Sequence, residues 1–202
     1  MEAIKILFLD IGGVVLSDGW NYTARMEAVE KFGLEPGQFQ KDHSVAFPLF
    51  ENGKLSLDQY LDSVIFNIDR SFSKEAFSDF MFAKSTPLPL FLPWLIEWKK
   101  RNTVKIFSIN NEGKEFNDYR IKKFGLHHCF DAFISSCEVG FSKPDPSIFK
   151  LALGIVQEEP QHCLYFDDRA IHVAIAKKMG INAFVHQDFE QSKIILENIN
   201  RS

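Results

Sequence analysis

Short, predominantly apolar runs recur along the chain, each closed by polar residues and followed by a stretch of helical periodicity. Residues 4–9 form the first run, and Asp10 closes it, with Gly12 and Gly13 just beyond. Later runs cover residues 104–107, 132–134, 163–166 and 183–185. They end at Ser108, at Ser135 and Ser136, at Asp167 and Asp168, and at His186 and Gln187. A mainly apolar run of this length predicts a strand buried on both faces, as in a parallel sheet. Residues 90–101, 113–124, 147–156 and 170–179 read as the intervening helices, the last stopped by Gly180. This alternation predicts an α/β fold: a three-layer α/β/α, Rossmann-like core around a parallel sheet. Ligands of such sheets bind at the carboxyl ends of the strands, where these polar residues stand.

One stretch departs from the alternation. Residues 17–86 hold no convincing strand pair, whereas residues 23–32, 57–68 and 74–82 have helical periodicity. Leu34, Pro36 and Gly37 read as one turn and Asn52 and Gly53 as another. The expected organisation is therefore a core of residues 1–16 and 87–202 with a small all-helical unit, residues 17–86, inserted after the first strand. Many of the 21 Phe residues fall in or near the insertion. They read as the core of a small bundle, or alternatively as an apolar lid. Trp20, Phe47 and Phe50 stand in the same position, as core residues or as pocket residues.

Composition narrows the class. At 46% hydrophobic and 25% charged residues, the chain affords a packed core and is not a disordered segment. A formal net charge of -4 gives no general attraction to nucleic acid or to anionic lipid. Residues 1–10 lack the pattern of a signal peptide, and prolines interrupt residues 88–98, the other strongly apolar stretch. Cys129, Cys137 and Cys163 form no CxxC pair, which fits reduced thiols in a cytoplasmic protein. The six histidines lack zinc-site spacing. Nothing points to an obligate protein partner.

Four segments carry candidate chemistry. In Phe8-Leu9-Asp10-Ile11-Gly12-Gly13 a carboxylate ends a buried strand, a costly place unless it is paired or binds a cation. The glycines permit a sharp turn that brings N–H groups near an anion. Such a carboxylate can serve as a nucleophile, or merely as a solvated strand cap. Ser108, followed by Ile109 and Asn110, can offer a hydroxyl to a phosphate oxygen, although Ser and Asn are ordinary loop residues. Lys143, in Gly140-Phe141-Ser142-Lys143-Pro144-Asp145-Pro146, is either held rigidly before a helix or simply solvated. Adjacent carboxylates at Asp167 and Asp168 repel each other unless a cation sits between them, and an all-oxygen site suits Mg²⁺.

Taken together and in this order, the four segments resemble those of the haloacid dehalogenase superfamily, and the resemblance covers essentially the whole chain. Asp10 corresponds to its first motif, Ser108 to its second, Lys143 to its third and Asp167-Asp168 to its fourth. The insertion corresponds to a C1-type helical cap. The sequence is similar in character to the subgroup that includes small sugar-phosphate phosphatases and the phosphatase domains fused to epoxide hydrolases. The resemblance implies Mg²⁺-dependent hydrolysis of a small phosphorylated metabolite through an aspartyl-phosphate on Asp10. It implies Mg²⁺ held by the Asp10 carboxylate, the Gly12 carbonyl and Asp168, with Asp167 behind them or acting through water. It further implies that Gly12, Gly13, Ser108, Ile109, Asn110 and Lys143 surround the substrate, with Asp10, Lys143 and Ser108 as the catalytic set.

Some positions depart from that pattern. Phosphatases of the superfamily usually carry an Asp two residues after the nucleophile to transfer protons; here it is Gly12, which leaves the proton to substrate, to water or to a cap residue such as Asp18. Ile109 replaces a frequent Asn, and Arg169 and His172 replace small or amide residues. Arg169 reads as the partner of a surface carboxylate, with a phosphate ligand as the alternative, and His172 as a solvated or internally satisfied helix residue. Two other functions remain open at this level: a metal-independent 2-haloacid dehalogenase, and a phosphate-binding or regulatory protein with little turnover.

Overall fold

The computed structural model describes residues 3–199; residues 1–2 and 200–202 of the expected core range lie outside them. The elements run β1 (Ile6–Leu9), α1 (Tyr22–Phe32), α2 (Pro36–Glu51), α3 (Leu57–Val64), α4 (Lys74–Ala83), α5 (Phe91–Arg101), β2 (Lys105–Asn110) and α6 (Lys114–Lys123). Then come β3 (Ala132–Ser135), α7 (Ser136–Val139), α8 (Pro146–Val156), β4 (Cys163–Asp167), α9 (Ala170–Lys178), β5 (Asn182–Val185) and α10 (Phe189–Asn198). The five strands form one parallel sheet in the order β3-β2-β1-β4-β5.

Alternation along β1 builds the layers, because successive side chains of a strand point to opposite faces. Leu7 and Leu9 enter a cluster with Leu164, Phe166, Phe91, Leu95 and Trp98. Ile6 and Phe8 enter another with Tyr165, Ile148, Phe149 and Val173. All four β1 residues are buried, as their unbroken apolar run predicts. The register pairs Leu9 with Ser108 on one side and with Phe166 on the other. Asp10 thus emerges at the carboxyl edge of the central strand, flanked by the ends of β2 and β4.

The helices α1 to α4 lie between β1 and β2 and have an aromatic core of their own. Phe39, Phe50, Tyr60, Phe77 and Trp20 are buried there, and Phe116 of α6 joins them. Trp20 meets Phe77 edge-on with centroids 5.8 Å apart, and Phe50 stacks on Tyr60 at 5.2 Å. Each such pair contributes about 0.5–1.5 kcal/mol beyond its buried area.

Two helix boundaries differ from the sequence expectation. Pro36 and Gly37 begin α2 rather than forming a turn. Proline is favoured in the first turn of a helix, and the Glu35 carboxylate accepts from Gly37 N and Gln38 N as its cap. The helix expected over residues 57–68 ends at Val64. The Asp188 carboxylate caps helix α10 by accepting from Gln191 N at 2.8 Å. The three cysteines are free. Among the described residues, no helix is long and apolar enough to cross a membrane.

Candidate active site

Lys143 organises the carboxyl edge of the sheet. Its Nζ lies 2.7 Å from Asp10 Oδ2 and 2.7 Å from Asp167 Oδ2, and its side chain is 1% exposed. Burial alone would favour the neutral amine, but the charges of Asp10 and Asp167 raise the ammonium above its ordinary value. The loop after β2 fixes the lysine backbone. Asn111 Oδ1 accepts from Lys143 N at 2.8 Å, and Asn111 Nδ2 donates to Lys143 O at 2.8 Å.

Asp167 is spent within the protein. Its Oδ1 accepts from Arg169 N at 2.8 Å, and His172 Nδ1 lies 3.0 Å from both carboxylate oxygens. Tyr165 Oη and Lys143 Nζ both donate to Oδ2. Burial would raise this carboxyl, but the His172 hydrogen bond and the Lys143 charge outweigh it, holding Asp167 well below the usual carboxylate range. Asp10 is pushed the other way by its burial; Lys143 pulls it back, and the charge on Asp167 adds to the push. Asp10 Oδ1 also accepts from Ile11 N at 2.7 Å.

Asp168 stands in different surroundings. Burial raises its carboxyl first, and the charges of Asp18 and Asp167 raise it further. It lies directly over Gly13, where an added Cβ would come within 2.6 Å of Asp168 Cγ and Oδ2. Gly13 also has φ +69°, a left-handed conformation that glycine adopts without strain. Asp10 and Asp168, both raised by burial and by neighbouring negative charge, form a donor set that a divalent cation would relieve. Asp10, Asp167 and His172 also hold potential ligand atoms within 4.8 Å of one another. However, the hydrogen bonds on Asp167 occupy its oxygens, which suits it to hold Lys143 and support the site from behind.

A cavity of about 340 Å³ opens above these groups. Asp10, Gly12, Asn111, Glu112, Arg120, Lys143, Asp168, Arg169 and His172 line it from the sheet side. Asp18, Trp20, Asn21, Arg25, Phe47 and Glu51 line it from the segment between β1 and β2. Four of these side chains, Arg25, Arg120, Lys143 and Arg169, are cationic. Arg120 Nη1 pairs with Glu112 Oε2 at 2.8 Å, its Nε donates to Ser85 Oγ, and its Nη2 donates to Ser17 O.

Not every residue anticipated at the site lines this cavity. Ser108, Ile109 and Asn110 are absent from its wall and are buried. Ser108 Oγ donates to Asn110 Oδ1 at 2.8 Å and accepts from Ile134 N at 3.1 Å, while Asn110 joins Asn117 and Ser135. Two of the three N–H groups after Asp10 are likewise committed, Ile11 N to Asp10 and Gly13 N to Leu16 O. Arg169 faces the cavity and makes no ion pair with a described carboxylate, which goes against the first of its two readings. His172 is buried and satisfied at Nδ1 by Asp167. Trp20 and Phe47 reach the cavity, while Phe50 packs in the aromatic core. Sequence reading missed Arg25, Glu51, Glu112 and Arg120. Each lies on a helix or loop without a motif, and only the tertiary fold gathers them.

Comparison with known proteins places this geometry. The sequence profile of the haloacid dehalogenase-like hydrolases matches residues 4–180. The bifunctional epoxide hydrolase 2 of Sus scrofa is 34% identical over 70 residues, 35% of this chain and 13% of its own length. The chain thus spans only a small part of that relative. The D-ribitol-5-phosphate phosphatase of Bacteroides thetaiotaomicron is 24% identical over 96% of this chain and 99% of its own. A haloacid dehalogenase-family enzyme of the same species, solved as a magnesium complex, superposes with a TM-score of 0.82. It is 19% identical to this chain, and the superposition covers 96% of this chain and 99% of the other.

Proposed function

The chain belongs to the haloacid dehalogenase-like hydrolases, and from that premise we propose that it is a Mg²⁺-dependent phosphatase of small phosphorylated metabolites. The observation that carries this reading is the contact of Lys143 Nζ with Asp10 Oδ2 at 2.7 Å, at the floor of a cavity lined by three arginines. A carboxylate held beside one fixed ammonium and facing several guanidinium groups is arranged for a substrate that is itself multiply negative. A 2-haloacid offers a single carboxylate and does not call for so many cations. The relative that acts on D-ribitol 5-phosphate aligns over nearly its full length, which directs the choice of substrate toward phosphorylated polyols and sugars.

In this mechanism Asp10 attacks phosphorus and carries the phosphoryl group until water releases it. Lys143 holds a phosphoryl oxygen and keeps Asp10 aligned, and the Asp167 network keeps Lys143 in place. Mg²⁺, held by the Asp10 carboxylate, the Gly12 carbonyl and Asp168, would neutralise charge on the phosphoryl oxygens. Arg169 and Arg25 face the substrate from the rim. The helical insertion acts as the cap that encloses it, with Trp20 and Phe47 supplying apolar wall. Ser108 supports the loop from within rather than touching the phosphate.

The test is hydrolysis of a panel of polyol, sugar and aryl phosphates with Mg²⁺, by the natural chain and by Asp10→Asn. The natural chain releases phosphate, EDTA stops it, and the Asn variant keeps its fold but loses release by at least about 10³-fold. Phosphate release that survives in Asp10→Asn would falsify the assignment.

A further inference from the structure

Departure of an alkoxide from phosphorus requires a proton donor, and the residue two places after the nucleophile, Gly12, has no side chain to provide one. Among the described residues, five carboxyl groups line the cavity. Asp10 and Asp168 are committed to the phosphoryl and metal chemistry proposed above. Glu112 is locked to Arg120 at 2.8 Å. Asp18 is exposed to solvent. The fifth is Glu51.

Glu51 is the last residue of α2, and two contacts fix that helix end on the core. Its backbone carbonyl accepts from Ser136 Oγ at 2.6 Å. Two residues on, Gly53 has φ +68° and packs so closely on the Cys137 carbonyl that no Cβ would fit between them. The Glu51 carboxyl therefore enters the cavity from an anchored position. It makes no hydrogen bond or ion pair with any described residue, so it is available to a ligand. We propose that Glu51 is the proton donor to the leaving-group oxygen and, in the second half of the reaction, the acceptor of a proton from the attacking water. The proposal rests on the phosphatase reading.

The steps balance. Asp10 Oδ forms a bond to phosphorus as the bond from phosphorus to the leaving oxygen breaks, and that oxygen takes the Glu51 proton to leave as an alcohol. Water then attacks the aspartyl-phosphate and gives its proton to the Glu51 carboxylate. Phosphate departs, and both carboxyl groups return to their starting states. The surroundings support the required protonation. Burial pushes the Glu51 carboxyl up to about 7, and the charge of Glu112 adds to the push. Lys143, Arg169 and Arg25 face it and pull it down only in part. A carboxyl poised near neutral pH is suited to give and take a proton in turn.

The experiment compares kcat/KM of the full chain with its Glu51→Gln and Asp18→Asn variants, with Mg²⁺, on p-nitrophenyl phosphate, phenyl phosphate and polyol phosphates. The p-nitrophenolate ion leaves without help, whereas phenoxide and alkoxide need a proton. Glu51→Gln should lose about 10²–10⁴-fold on the phenyl and polyol esters and change little on the nitrophenyl ester. In the natural chain, kcat/KM on phenyl phosphate should fall as pH rises through about 7, and Glu51→Gln should lack that fall. An equal loss on all esters, no loss, or the selective loss appearing in Asp18→Asn instead would each overturn the proposal. Failure of the phosphatase reading shows separately, as a natural chain that releases phosphate from none of them.

Discussion

Asn111 holds both backbone polar groups of Lys143, accepting from its N–H and donating to its carbonyl, each at 2.8 Å. The ammonium that bridges Asp10 and Asp167 is therefore positioned by a side chain from a different loop. Asn111→Ala removes two hydrogen bonds of about 0.5–1.5 kcal/mol each. Asn111→Asp keeps the acceptor but sets a carboxylate oxygen against the Lys143 carbonyl. Both variants should lower kcat/KM for phosphate esters by about tenfold or more, with Asp the worse of the two. Steady-state rates beside a thermal melt check this, and unchanged rates in both would mean that the lysine is held by other means.

Asp167 and Asp168 should separate in their effects. Asp168→Ala removes the raised carboxyl over Gly13 and should weaken Mg²⁺ binding, read by calorimetric titration, with little change in stability. Asp167→Ala leaves Lys143, Tyr165 and His172 without their buried acceptor. Breaking a buried pair of this kind costs about 3–5 kcal/mol. For a chain of this size that lowers Tm by about 10 °C. Gly13→Ala should likewise weaken Mg²⁺ binding, because the new methyl displaces the Asp168 carboxylate, and should also lower Tm, because alanine is strained at φ +69°. Tighter dependence of Mg²⁺ binding on Asp167 than on Asp168 would reverse the assignment.

Acid stability offers a test remote from the site. Asp131 accepts from Ile106 N at 2.8 Å and pairs with Lys99 and Lys105. Burial would raise its carboxyl, but the Lys99 and Ile106 hydrogen bonds outweigh it and hold the carboxyl below its ordinary value. A depressed folded-state value stabilises above the ordinary aspartate range, and the gain is lost as pH falls through the lowered value. Asp131→Asn should therefore melt earlier than the natural chain at pH 7, and the gap should close on acidification. Melting curves across pH decide it, and a gap that stays constant or widens in acid would count against the pairing.

The sheet was legible in sequence because a central parallel strand must be apolar on both faces, as residues 6–9 and 163–166 are. Helix α2 was not, because Pro36 and Gly37 suit a turn as well as a helix start, and only the Glu35 cap decides. The site divides along the same line. Asp10, Lys143 and Asp168 stand at strand ends or in the loops that follow, where local pattern places them. Arg25 and Glu51 are charged helix residues like many others, and only the docking of the insertion brings them to the cavity. Ser108 shows the converse, since its place at a strand end was readable but the direction of its hydroxyl was not.

The seat of Phe50 carries a last consequence. Its ring presses on Gly113, leaving no space there for a Cβ, and Gly113 directly follows Asn111 and Glu112. A chain that placed any larger residue at 113 would have to shrink residue 50, or else shift the loop that grips Lys143. The two positions are thus coupled by inheritance: in diverging descendants of this sequence the glycine at 113 can be exchanged only where the aromatic at 50 has given way or the loop has moved.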